Sequence, residues 1–178
     1  MPKPMMILEV QMGSNQKELL NPVKGWFIIF SMLVALLINF VPLGRLVWRP
    51  DILALVLVYW SIQQPKKISF FWVFFLGVLM DVHYGALLGQ FALTYILICA
   101  MAIAISRRVL WFDVVGQMCH VFPLFIFLHV VLLFIFWLQG GVNFSWQVLF
   151  APLIEVLLWP VANMLLLKPQ KSRAEEKL

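Results

Sequence analysis

Few side chains in this sequence can do chemistry, and most of them stand where charge is costly. Asp81 is the only formal charge in an apolar run from Phe70 to about Ile105. An acid at the centre of a membrane helix costs about 2.5–3.5 kcal/mol on insertion scales, so it calls for a partner, a water-filled cavity or a place near the interface. Arg49, Pro50 and Asp51 open another apolar stretch, and His129 and Glu155 lie well inside two later ones. Two pairings follow. Arg49 with Asp81 would join two spans by opposite charges, which a low-dielectric layer tolerates only when they are paired. The alternative is that Arg49 snorkels to lipid headgroups while Asp81 caps a turn. His129 and Glu155, at similar depth on antiparallel neighbours, would form either a proton relay or a plain structural hydrogen bond.

Enzymatic machinery is not written here. There is no Ser–His–Asp set, HExxH, GxSxG or Gly-rich phosphate loop. An intramembrane protease would use two membrane aspartates, and only Asp81 is well inside a span. The sequence points to no catalytic residue, no cofactor and no metal ligand. Cys99 and Cys119 both fall in apolar segments without a CxxC neighbour, and are read as small core residues that do not pair with each other.

Gly77, Asp81, Gly85 and Gly89 recur at every fourth residue. On a continuous helix they would share one face, where small residues let a second helix approach closely. One helix from Ser69 to Ser106, however, would be about twice the length a crossing needs. The expectation is a helix, a tight turn at His83–Gly85 with Asp81 capping it, and a second helix.

The elements that hold these residues are membrane helices. Of 178 residues, 63% are hydrophobic and 12% charged, and the mean hydropathy of +0.97 lies far outside the range of soluble domains. Six apolar segments are expected: Trp26–Leu43, Leu46–Ile62, Ser69 to about Val82, Gln90 to about Ile105, Gln117–Leu138 and Phe144–Leu167. Pro50 would lie in the first turn of the second, with Asp51 facing the positive end of its dipole. Residues 1–23 read as a polar cytoplasmic tail, 24–168 as the membrane domain and 169–178 as a charged, disordered cytoplasmic tail. With both termini in the cytoplasm, eleven of the thirteen Lys and Arg fall on that side and only Arg45 and Arg49 outside, as the positive-inside rule requires. The net charge of +5 therefore reports topology, and nucleic-acid binding is not indicated.

Three motifs in order resemble a known family. Arg49-Pro50-Asp51 opens a segment that ends Val58-Tyr59-Trp60; Gly77-x3-Asp81-x3-Gly85-x2-Leu88-Gly89 follows, with Ala92-Leu93; Leu158-Trp159-Pro160 lies near the end of the last span. This set is similar to that of the bacterial rod shape-determining MreD family, across roughly residues 24–168. Glu155 departs from the family pattern, where a neutral polar residue is expected. The resemblance implies an inner-membrane component of the cell-elongation machinery, embedded in lipid. It implies a partner in MreC, with MreB, RodA and a penicillin-binding transpeptidase in the wider complex. It also implies a six-helix fold like the substrate-binding subunits of energy-coupling-factor transporters, with a small-molecule carrier as the rival function.

Overall fold

The computed structural model describes residues 25–41, 50–140 and 150–175, with side chains to residue 166. Among these residues there are six α-helices and no strand: α1 (Gly25–Phe40), α2 (Ile52–Gln63), α3 (Phe70–Tyr84), α4 (Gln90–Val109), α5 (Val114–Leu138) and α6 (Phe150–Glu175). A single 3-10 turn, Pro65–Lys67, follows α2. By length and composition α4 and α5 can each cross a bilayer, whereas the apolar parts of the other four are shorter.

Several boundaries differ from those expected, each for a local reason. Helix α2 starts at Ile52 because Asp51 is its N-cap, extended at φ −87° and accepting from Ala54 N–H. Pro50 therefore precedes the helix and is not in its first turn. At 12 residues α2 is only about 18 Å long. Helix α5 begins at Val114, capped by Asp113. Helix α6 continues to Glu175, so the 168–175 segment is helical where disorder was expected. The polar N-terminal segment 1–23 and the Gln139–Asn143 turn beyond Gly140 lie outside the described residues.

The packing order explains what is buried. Helix α2 touches α1, α4 and α6, α4 also touches α3 and α5, and α5 closes on α6. Thus α2, α4, α5 and α6 form a ring, with α1 packed on α2 and α3 on α4. Every residue of α2 from Leu53 to Ile62 is buried, although the helix has no polar face to turn outward. Tyr59, Trp60, Tyr95, Phe125 and Trp159 fill the centre, each fully buried. The exterior is the inverse of a soluble protein's. Trp26, Phe30 and Leu37 on α1, Phe71 and Phe75 on α3, and Val130, Phe134 and Trp137 on α5 are all exposed. An apolar surface of that extent needs a hydrocarbon solvent.

Candidate functional site

The motif residues meet at two places. The first is the N-terminus of α2, where the charge of Asp51 is enclosed by donors from three helices. Its Oδ1 accepts from Ala54 N–H at 3.0 Å and from Asn39 Nδ2 at 2.7 Å, and its Oδ2 accepts from the Tyr95 hydroxyl. The amide of Asn39 works in both directions, since its Oδ1 accepts from Ile52 N–H at 3.2 Å. Asp51 N–H in turn donates to Glu155 Oε1 at 2.8 Å. The same Oε1 lies 3.6 Å from His129 Nε2, while His129 Nδ1 is 3.0 Å from the Phe125 carbonyl oxygen. Helices α1, α2, α4, α5 and α6 are thereby tied through one buried polar cluster. Charge-assisted hydrogen bonds of this kind are the strong ones, and in a dry interior they fix one arrangement of helices.

His129 and Glu155 thus come together as the sequence suggested, and Asp51 joins them, which it did not suggest. Asn39 and Tyr95 were missed as members. The signal was present for Asn39, one of two polar residues in the first apolar segment, the other being Ser31. For Tyr95 no local signal existed, because a phenol inside an apolar helix reads as core.

The second place is the α3–α4 corner. Asp81, fully buried, sits one turn before the end of α3 and reaches over the connection. Its Oδ2 accepts from Gly89 N–H at 2.8 Å and its Oδ1 from Phe91 N–H at 2.7 Å. Both oxygens thus face the positive end of α4 and satisfy two of its unpaired amides. This is the turn-capping role; Arg49, the other candidate partner of Asp81, lies outside the described residues. The four-residue spacing does not make one face, because α3 ends at Tyr84. Gly85 is left-handed at φ +61° and closes α3, its N–H pointing to the Asp81 and Val82 carbonyls. Gly89, at φ +102°, precedes α4. The turn therefore spans residues 85–89, and His83 stays helical, its ring stacked on Phe40 at 4.5 Å.

Of the three motif glycines, only Gly77 is packed against a neighbouring helix. A Cβ there would lie 2.3 Å from Ala92 Cα and 2.6 Å from its backbone nitrogen, whereas a Cβ at Gly85 or Gly89 meets nothing within 4 Å. Gly85→Leu should accordingly act through backbone strain, about 1–2 kcal/mol, with no loss of helix contact. Gly85→Asn, which tolerates the left-handed conformation better, should recover most of the protein level in membranes; equal losses for both would contradict the strain account.

The third motif also points inward. Trp159 Nε1 donates to Gln117 Oε1 at 3.2 Å, and the Trp159 ring lies 5.8 Å from that of Tyr59. Trp60 Nε1 donates to Ser31 Oγ at 2.8 Å, joining α2 to α1. Pro160 follows within α6, at intermediate burial. Of the cysteines, Cys99 is buried as expected but Cys119 is exposed, because it falls on the outer side of α5. Among the described residues no group of three His, Cys, Asp or Glu could hold a metal.

A family model described as rod shape-determining protein MreD matches residues 21–168. The rod shape-determining protein MreD of Haemophilus influenzae is 33% identical over 160 residues, covering 83% of this chain and 93% of that protein. No solved structure matches the chain. With its motif residues organised as above and the match running over most of its length, the chain belongs to the MreD family of rod shape-determining proteins.

Proposed function

We propose that the protein is a non-catalytic component of the bacterial cell-elongation machinery. In this reading it is a multi-pass inner-membrane protein that binds MreC through its membrane helices and so helps couple MreC to peptidoglycan synthesis. MreB, RodA and a penicillin-binding transpeptidase are its wider company. The observation that carries the reading is where the motif side chains point. Asp51, Asp81, Trp60 and Trp159 are all engaged inside the bundle, which leaves apolar helix faces as the surface through which partners are met. Other membrane helices and lipid are what such faces bind.

All six helices cross in this proposal, the 12-residue α2 doing so inside the bundle where protein surrounds it, with the membrane domain at 24–168 and both termini cytoplasmic. Reporter fusions after Lys66, Leu110 and Leu178 should read cytoplasmic and one after Gly141 periplasmic; a periplasmic C-terminus would rule the arrangement out. Co-purification in mild detergent should recover MreC with the tagged chain, and depletion should round the cells. Failure to recover MreC under conditions that keep the chain folded would sink the adaptor reading.

A second reading has one observation in its favour. Between α1 and α6, floored by α2, runs a cleft of about 350 Å³ lined by apolar side chains including Phe27, Val34, Ile38, Leu55, Leu158 and Leu165. It would suit a lipid chain better than a polar vitamin, since the bundle centre is filled by aromatic rings. A carrier resembling the energy-coupling-factor subunits would show itself if depletion left cell shape intact while uptake of a small solute fell.

A further inference from the structure

The α2 cluster has an unbalanced end. Asp51 has donors on both oxygens, but Glu155 does not: among the described residues Oε1 accepts only the Asp51 N–H, and Oε2, in a side chain of 0% exposure, has no hydrogen-bond partner. The adjoining imidazole sharpens the point. A carbonyl oxygen can only accept, so the His129 Nδ1 that faces Phe125 O at 3.0 Å carries the ring hydrogen. That leaves Nε2 of a neutral ring as an acceptor, 3.6 Å from the carboxyl oxygen of Glu155. Two acceptors then face each other in the buried interior.

We propose that Glu155 and His129 together form a proton-binding site, holding one proton that resides on either the Glu155 carboxyl or the His129 Nε2. In either location the lone-pair conflict is removed and the cluster keeps a single net negative charge, the one that Asp51 carries among its donors. The groups that face the site are Asp51 from α2, Tyr95 from α4 and, across Tyr95, Tyr84 from α3; α1 contributes only the neutral Asn39. The four described Lys and Arg side chains, Lys66, Lys67, Arg107 and Arg108, follow the C-terminal end of α2 or end α4, on the far side of the helices from Asp51. No described cation is therefore placed to balance a second carboxylate. The site stands apart from the adaptor reading and would survive its failure.

The test uses the purified full-length chain in detergent with no added ligand. Infrared spectra across a pH series, in light and heavy water, should show one carboxylic-acid or imidazolium signal that is lost in Glu155→Gln. Glutamine should hold the fold, because its amide oxygen can keep the bond from Asp51 N–H and it brings no charge into the interior. Its thermal midpoint should match wild type where the wild-type site is loaded, and the pH step seen in wild type should be absent. His129→Asn, with Glu155 kept, should shift the position of that step. A Glu155→Gln chain with the wild-type spectrum and pH profile would overturn the proposal, as would an unshifted step in His129→Asn. A wild-type chain with neither signal nor step would do so without any variant.

Discussion

Asp51→Ala is expected to lower stability by about 3–5 kcal/mol, the range for breaking a buried, hydrogen-bonded charge. Three losses combine. The N-cap of α2 goes, at about 1 kcal/mol. The Asn39 amide and the Tyr95 hydroxyl lose the acceptor they share, and a buried donor left unsatisfied costs about 1–3 kcal/mol. Because α1 and α4 are both anchored at this carboxylate, damage should spread beyond α2. Whole domains are stable by only about 5–15 kcal/mol, so the variant should accumulate poorly and cells should lose their rod shape for want of folded protein. Asp51→Asn separates cap from charge. It retains one acceptor oxygen and a good cap, and should lose clearly less, read as thermal midpoint in detergent and steady-state level in membranes. Equal midpoints for Ala and Asn would show that the cap and the retained oxygen contribute nothing and that the whole loss lies with the charge and the second oxygen.

Gly77→Leu should be nearly as damaging by a different route. The atoms that a new side chain meets are Ala92 Cα and N, so neither a rotamer change nor trimming of Ala92 can make room. Helices α3 and α4 must move apart, and overpacking of this kind costs about 1–3 kcal/mol or more. Separation would also carry Asp81 away from Gly89 N–H and Phe91 N–H, uncapping α4. Ala92→Gly should therefore fail to rescue Gly77→Ala, since the obstructing atoms remain after the methyl is gone. Recovery of the thermal midpoint in that double variant would show that the contact is with the Ala92 side chain alone.

The contrast between these glycines shows where the sequence was legible. Periodicity placed Gly77, Gly85 and Gly89 together and marked the region as special, but backbone conformation divides them: one lies against a neighbouring helix, two adopt positive φ. Asp81 was readable as a turn cap because the length of the apolar run forces a break near it. The six helices among the described residues were legible from hydropathy, whereas helix ends were not, since α2 begins at Ile52, a residue that an apolar count passes over. The Asp51 cluster was half legible. His129 and Glu155 follow from helix direction and depth, but bringing Asp51, Asn39 and Tyr95 to them depends on which helix stands at the centre. Hydropathy cannot say that, because burial by lipid and burial by protein select the same apolar residues.

The complete enclosure of α2 has a consequence for biosynthesis. A chain is made from its N-terminus, so α2 leaves the ribosome before α4 and α6, which supply two of its three walls and the Tyr95 and Glu155 ends of its polar cluster. Until they arrive, Asp51 has, among the described residues, only its own helix amide at Ala54 and Asn39 of α1 as donors. A nascent α1–α2 pair released early into lipid would hold a charged cap on a helix about 18 Å long, too short to keep that cap at the headgroups on one side while crossing to the other. The insertion machinery must therefore retain the pair, or allow it to sit shallow, until the C-terminal half is complete. A chain truncated before α6 should be degraded far faster than one truncated before α1 has been joined by any partner at all.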